Sequence, residues 1–214
     1  MGRSRAARAA STRSTQTTRD RIVDAALETI KQHGILGASA RAIARTGGFT
    51  EPLIFYHFRA LDELLLAAVD KVNALRLASY TPRLAAASSL AELVTVAAEI
   101  YAEDQREGHT AVLVQTLAGF AASPQLSRAL LERFTPWIRL LADTLTRVTT
   151  GTPVEGIFPA EDAAFALTAW FVGMELLSHP DHPARWQYLL DRMRLVAAQL
   201  PGGGRPATSP GGGP

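Results

Sequence analysis

The sequence predicts an all-α protein in which a small N-terminal helical domain precedes a larger helical bundle. Apolar residues recur three and four positions apart along most of the 214-residue chain, which places them on one face of a helix. No stretch alternates between polar and apolar residues as a half-buried strand does. Charge is uneven: residues 1–76 hold 12 Lys and Arg against 7 Asp and Glu, a net +5, and residues 77–214 hold 10 against 13, a net −3. This asymmetry favours a nucleic-acid-binding head on a body with another role.

The first 18 residues are predicted to be a disordered basic arm, because Arg, Ser, Thr and Ala alternate there without an apolar face. The arginines of this arm could follow DNA phosphates or enter the minor groove. They could equally form a solvated tail, and the sequence leaves both interpretations open. The arginines concerned are Arg3, Arg5, Arg8 and Arg13.

The first regular helix is predicted from about Arg19 to His33, with Gly34 ending it. Its apolar stripe should be buried. The stripe consists of Ile22, Val23, Ala26, Leu27 and Ile30.

Two short helices separated by a glycine turn are predicted between Ser39 and Phe58. Ser39 and Thr50 stand where N-caps are expected, and Gly47-Gly48 permits the left-handed backbone that ends a helix. In the second helix, Ile54 and Phe58 should face inward, with Phe55 beside them. The residues left to point outward are Glu51, Pro52, Leu53, Tyr56 and His57. A second helix with an exposed N-terminal face is the geometry that enters a major groove, although two ordinary core helices would give a similar pattern.

The segment IARTGGFTEPLIFYHF resembles the helix-turn-helix core of the TetR family of one-component transcriptional regulators, which reads roughly IAxxAGVSxxTLYYHFxSKEEL. The resemblance is clear over about residues 20–70 and architectural beyond them. It implies phosphate contacts from Thr50, Tyr56 and His57, with Thr18 near the DNA backbone. It also implies a homodimer formed through the last two helices and an effector that acts through the tilt of a connecting helix, here residues 61–79.

Base contacts can be assigned from side-chain chemistry. Pro52 and Leu53 suit apolar contact with thymine methyl groups, and the Glu51 carboxylate could accept a hydrogen bond from a cytosine amino group. Glu51 could instead only complement the helix dipole. Arg41 and Arg45, one turn apart on the preceding helix, could reach the DNA backbone or base edges.

The sequence departs from the family pattern in two places. Ala60-Leu61 replaces the frequent Ser-Lys, which removes a helix cap and a phosphate-contacting lysine. Phe49 replaces a small Val in the turn. Both departures put the implied phosphate contacts in question.

The remaining chain predicts four segments: the arm at 1–18, a helix-turn-helix DNA-binding domain at 19–65, a helical effector-binding and dimerisation domain at 66–200, and a disordered tail at 201–214. Breaks are expected at Pro82, Gly108, Ser123-Pro124, 150–159 and 178–183, and Pro136 should kink or divide a helix. Large or polar residues on apolar helices are candidates for an effector site for a hydrophobic or amphipathic molecule, with ordinary packing as the alternative. They are Tyr101, Gln115, Phe120, Trp137, Trp170 and Glu175.

Several functions are disfavoured. The chain has no cysteine, no apolar run near the roughly 20 residues that span a bilayer, and no secretory signal, so we expect a cytoplasmic protein without a membrane association. His179 and His182 suggest a loop more than a metal site. Because no catalytic grouping has a recognisable context, we expect no cofactor, no metal and no enzymatic activity.

The sequence thus predicts a homodimeric, ligand-responsive repressor that binds palindromic double-stranded operator DNA. The first alternative is an all-α small-molecule-binding protein whose head no longer reads DNA. The second is a helical enzyme, which would need a catalytic constellation that the sequence does not display.

Overall fold

The computed structural model describes residues 2–177 and 184–199, and the side chains of residues 17–174, 176 and 188–199. These residues form helices and loops, and the described part contains no strand, so the all-α prediction is confirmed. The helices are α1 (Gly2–Gly37), α2 (Ala40–Gly47), α3 (Glu51–His57), α4 (Leu61–Ala86), α5 (Leu90–Glu107), α6 (His109–Phe120), α7 (Pro124–Glu132), α8 (Thr135–Thr149), α9 (Ala160–Leu177) and α10 (Ala184–Gln199).

The first helix is interrupted at Gly34, where φ is 71° and ψ is 171°. A left-handed φ is accessible to glycine at little cost, so regular helix ends there, as the sequence predicts. α1 also includes residues 2–18. Disorder of that arm in the free protein stays a prediction.

The predicted break at Pro82 is wrong, because α4 continues through this residue to Ala86. The end of α4 is instead held by a side chain from elsewhere in the chain. The Arg147 guanidinium donates to the Leu84 carbonyl at 2.7 Å and also to the Ala87 carbonyl, which satisfies groups that a helix end leaves open. By contrast, Pro136 divides two helices as predicted and lies in the first turn of α8.

The chain forms two compact units that are not continuous in sequence. The first contains α1 to α3, α4 as far as Arg76, and the segment Glu107–Arg133 with α6 and α7. The second contains Leu77–Arg106 and the helices from Phe134 onward. The predicted boundary between residues 65 and 66 stays a prediction.

Inside the first unit, α1 packs against α2 and α6. The apolar stripe predicted for the first helix is buried throughout, and Ile22, Ala26 and Ile30 are fully inaccessible. α6 approaches the end of α1 closely, because a Cβ at Gly119 would lie 3.1 Å from the Ile35 side chain. In the same place the Gln115 amide oxygen accepts from the Ile35 backbone N–H at 3.1 Å.

The connecting helix α4 is tied to its neighbours in the first unit by polar contacts. The Arg133 guanidinium binds both carboxylate oxygens of Asp70, at 2.7 and 3.1 Å. Asn73 donates to the Arg133 carbonyl at 3.2 Å, and Lys71 pairs with Asp24 of α1. Because two-point Arg–carboxylate contacts fix orientation as well as distance, they define how α4 lies against α7.

The second unit has an apolar core with one buried polar pair. α8 packs against α9, and Leu93, Ile100, Leu145 and Ala164 belong to one buried cluster. The hydroxyl of Tyr80 donates to the fully buried Asp104 carboxylate at 2.8 Å, which supplies a partner that a buried carboxylate needs.

Candidate DNA-contacting surface and ligand cavity

The helix-turn-helix is built by local hydrogen bonds. The Ser39 hydroxyl accepts from the Ala42 N–H at 3.2 Å, which confirms the predicted N-cap of α2. After α2, Gly48 adopts φ 69° and ψ 35°, and its N–H donates to the Ala44 carbonyl. This left-handed residue reverses the chain direction, so that α3 starts three residues later.

The aromatic residue in the turn is accommodated by the glycine beside it. A Cβ at Gly47 would lie 1.9 Å from Cε1 of Phe49, so the ring occupies the space that a side chain at position 47 would fill. The family pattern has Ala and Val at these two positions. Phe49 is therefore compatible with the turn because position 47 holds a glycine, where the family pattern has an alanine.

The caps at the starts of α3 and α4 both differ from the prediction. Thr50 is the N-cap residue of α3 with extended backbone, but its hydroxyl makes no cap hydrogen bond, so the predicted side-chain cap is wrong. Before α4, the Glu63 carboxylate accepts from the Arg59 N–H at 3.0 Å. This bond supplies part of the capping that Ala60 cannot supply.

The exposed face of α3 contains most of the residues that the sequence assigned to DNA. Glu51, Pro52 and Tyr56 are exposed, and Leu53 and His57 are partly buried. The rings of Tyr56 and His57 meet edge to face, with centroids 5.1 Å apart. The buried side of the segment is formed by Ile54 and Phe58.

Phe55 is placed differently from the prediction, since its side chain is 49% exposed. α3 has only two turns, and Ile54 and Phe58 fill the inward direction, so the residue between them projects toward the side. The surface of α3 consequently has one more aromatic residue than the sequence indicated.

Basic residues also lie on the surface of the other helices of the head. Arg41 and Arg45 of α2 are exposed, and Thr18 near the start of the buried part of α1 is half-buried. Arg19 stacks its guanidinium over the Phe58 ring at 4.5 Å from the centroid. Exposed arginines beside a recognition helix can bind phosphates without competing with internal ion pairs.

A cavity of about 140 Å³ lies within the second unit. Its lining is apolar apart from Thr168, whose hydroxyl donates to the Ala164 carbonyl at 2.8 Å. No described side chain in the lining carries a formal charge. The lining residues are Leu84, Leu90, Leu93, Val94, Ala97, Ile100, Trp137, Leu141, Leu145, Leu167, Thr168, Trp170, Phe171, Leu190 and Met193.

Three of the six effector-site candidates lie at or beside this cavity. Trp137 and Trp170 line the cavity, and Tyr101 contacts the lining residue Phe171 edge to face at 5.7 Å. Gln115 and Phe120 belong to the first unit and are not in the lining; Gln115 instead binds the Ile35 backbone. Glu175 lies in α9, and its side chain is outside the described residues.

The aliphatic lining residues were missed because only large or polar residues were treated as candidates. Among the residues that the structure describes, no three His, Asp or Glu side chains could hold a metal ion together. His179 and His182 lie outside the described residues. No helix in the described part of the chain is long and apolar enough to cross a membrane.

The fold and the site define a class: an all-α protein with an N-terminal helix-turn-helix and an apolar cavity in a separate helical unit. Residues 22–68 match the family model of bacterial regulatory proteins of the tetR family. This match covers the end of α1, all of α2 and α3, and the start of α4. No curated protein matches the sequence significantly.

Solved structures share the fold beyond the matched segment. A protein from Mesorhizobium loti assigned to the TetR family of transcriptional regulators has 21% identity and a TM-score of 0.65, with 86% of this chain and 94% of that chain covered. The fatty acid degradation regulator FadR from Bacillus halodurans has 15% identity and a TM-score of 0.68, with 85% and 95% covered. The multidrug binding protein EbrR in complex with malachite green has 26% identity and a TM-score of 0.55, with 84% and 95% covered.

Proposed function

We propose that the protein is a ligand-responsive transcriptional repressor that binds a palindromic operator as a homodimer and is released by a small apolar molecule. The observation that carries the proposal is the exposed face of α3, which follows a glycine-ended α2 in the basic part of the chain. The buried Ile54 anchors α3 in the head. Tyr56 is 79% exposed, so packing inside the head does not account for an aromatic side chain at this position.

On DNA, α3 enters the major groove of one half-site. Tyr56, His57 and Thr50 bind phosphates, together with Thr18 and the flanking Arg41 and Arg45. Pro52, Leu53 and Glu51 face base edges. The exposed Thr50 hydroxyl can donate its hydrogen to a phosphate oxygen. Action on DNA would place the protein in the cytoplasm.

The test of DNA binding uses the purified full chain and the DNA that flanks its own gene, with a scrambled duplex of equal composition as control. We expect a preference that survives about 150 mM salt, with two protomers per duplex. Equal and steeply salt-dependent binding to both duplexes would contradict sequence reading, because phosphate contacts alone produce that behaviour.

The dimer is proposed from an apolar surface on the last two helices. Large apolar side chains stand more than half exposed on α9 and α10, and a Cβ added at Gly173 of α9 would meet no atom within 4 Å. A second copy of the same helices would cover these side chains and remove their apolar area from water. The side chains are Phe165, Leu176, Tyr188, Leu195 and Val196.

Sedimentation velocity at micromolar concentration tests the dimer. We expect a dimer for the wild type and a monomer for Phe165→Glu. Leu131→Glu is the matched control, because Leu131 is similarly exposed, at 56%, but belongs to α7. A wild-type monomer, or equal effects of the two substitutions, would contradict the proposed interface.

The effector is proposed to bind in the cavity of the second unit. A cavity of about 150 Å³ lined by Leu, Ile and Phe in another protein stays dry and binds benzene, so fluorobenzene is a suitable probe. We expect ¹⁹F NMR to detect saturable binding that Ala97→Phe abolishes. Tetramethylammonium should not compete, since this cation would lose its hydration in a lining that carries no carboxylate to pair with it. Competition by this cation would contradict an apolar effector.

A small-molecule-binding protein without DNA reading is the second candidate. It is favoured by the exposed Glu51 carboxylate on α3, which repels phosphates, and by Ala60-Leu61, which supplies no lysine. Binding of fluorobenzene without any preference among DNA duplexes would establish this candidate. We propose no enzymatic activity.

A further inference from the structure

The composition of α3 restricts how it can read base pairs. Its sequence EPLIFYH contains no Arg, Lys, Asn or Gln. Those four side chains make the two-point hydrogen bonds that recognise guanine and adenine in the major groove. α3 therefore cannot recognise a purine in the way that most recognition helices do, whatever its position in the groove.

What α3 offers instead is an apolar ridge. Pro52 is exposed and Phe55 is 49% exposed, and residues three apart lie on the same side of a helix. Leu53 is partly exposed beside them. The polar groups on the helix are the Glu51 carboxylate, the Tyr56 hydroxyl and the His57 imidazole.

Among the base edges of the major groove, the thymine methyl group is the apolar one. We propose that α3 reads its half-site chiefly through thymine methyl groups, and that Phe55 and Pro52 are the specificity-determining residues. This inference rests on the proposed DNA-binding function and extends it to the kind of base pair that is recognised.

The charge distribution of the head fits this division of roles. Arg41 and Arg45 are exposed on α2, whereas α3 itself carries one carboxylate and no Lys or Arg. The positive charge that attracts phosphates then comes from outside α3, and the ridge contributes discrimination between bases.

The test begins with a pool of random duplexes, from which the full-length protein selects its preferred sequence. That duplex is then synthesised with uracil in place of single thymines, which removes the methyl group and leaves the hydrogen-bonding edge unchanged. We expect affinity to fall about fourfold for each contacted methyl group removed. Uracil outside the two half-sites is the control and should have no effect.

Phe55→Ala assigns the methyl contact to a residue. In this variant we expect the thymine and uracil forms to bind equally at one position of each half-site. Phe158→Ala is the matched control, because Phe158 is an exposed phenylalanine outside the head, at 71% exposure. Circular dichroism melting checks that both variants remain folded.

The outcomes separate the inference from the function on which it rests. If the pool yields a preferred sequence but uracil substitution within it leaves affinity unchanged, the methyl readout is overturned and the DNA-binding function stands. If Phe55→Ala retains the full difference between thymine and uracil, the assignment of the methyl contact to Phe55 is overturned. If the pool yields no preferred sequence, both are overturned.

Discussion

The helix-turn-helix and the cavity are built in opposite ways. In the helix-turn-helix, the decisive contacts join near neighbours: Ser39 with Ala42, Gly48 with Ala44, and Phe49 with Gly47. The cavity is lined by residues from α4, α5, α8, α9 and α10, so no short segment defines it. Local contacts therefore fix the first region, and long-range packing creates the second. Substitutions in the two regions should consequently affect stability, DNA binding and ligand binding separately.

The largest effect is expected for Gly47→Ala. The new Cβ would overlap the Phe49 ring, at 1.9 Å from Cε1, so the free energy of unfolding should fall by about 3 kcal/mol, at the upper end for overpacked sites. Adding Phe49→Val should restore most of this loss. Urea unfolding of the single and double variants measures the coupling; additive losses would show that the two positions are independent.

The next effects concern the roles of two α3 residues. Leu53→Ala should relax the preference at one base pair by roughly 1–3 kcal/mol, because an apolar base contact is lost. Tyr56→Ala should weaken binding to all duplexes alike, because a phosphate contact is lost. Competition titrations with single-base operator variants distinguish the two patterns. Identical losses of affinity and specificity in both variants would refute the assigned roles.

In the second unit, the effect of losing a long-range contact can be tested at Arg147. Arg147→Met keeps much of the side-chain volume but leaves the Leu84 and Ala87 carbonyls without their guanidinium donor. We expect a loss of about 1–2 kcal/mol in unfolding free energy, with the DNA preference unchanged. Thermal unfolding and duplex competition measure the two properties; altered base preference would argue against separable regions.

The smallest effect is a pH dependence at the start of α5. Hydrogen bonds to the Glu92 carboxylate from the Ser88 backbone N–H and then from the Ser88 hydroxyl lower the pKa of Glu92. Stability from this group is therefore present above the ordinary glutamate pKa and lost as the pH falls through the lower folded value. Between pH 6 and pH 3, Glu92→Gln should lose slightly less stability than the wild type. If the free energies of unfolding of the wild type and Glu92→Gln fall in parallel between pH 6 and pH 3, Glu92 makes no such contribution.

The contrast between local and long-range contacts also explains which features could be predicted from the sequence. Periodicity and glycine positions gave most of the helices, the turn at Gly48 and the outward positions Glu51, Pro52 and Tyr56. Phe55 was misplaced because a two-turn helix gives periodicity too few repeats to distinguish the side from the core. Pro82 predicts a break because proline lacks the N–H of a helix interior, and the sequence does not show that Arg147 holds the end of α4, which lies at Leu84 and Ala87.

Only part of the cavity lining could be predicted from the sequence. Trp137 and Trp170 were identified by their size, but aliphatic residues such as Leu93 and Leu167 resemble ordinary core. Gln115 was selected because it is polar on an apolar helix, and its polarity serves the Ile35 backbone instead. Which helix faces which neighbour depends on packing between distant segments, and periodicity within one helix carries no information about it.

The central claim is that one chain contains two separable sites, a DNA-reading head and an apolar effector cavity. The most direct measurement determines two affinities, for the preferred duplex and for fluorobenzene, in the wild type, Tyr56→Ala and Ala97→Phe. We expect Tyr56→Ala to lose about tenfold in duplex affinity with unchanged probe binding. We expect Ala97→Phe to lose the probe, and its duplex affinity to fall only as far as saturating fluorobenzene lowers that of the wild type. If Tyr56→Ala also loses the probe while its unfolding temperature matches the wild type, the two sites are not separate and the proposal is contradicted.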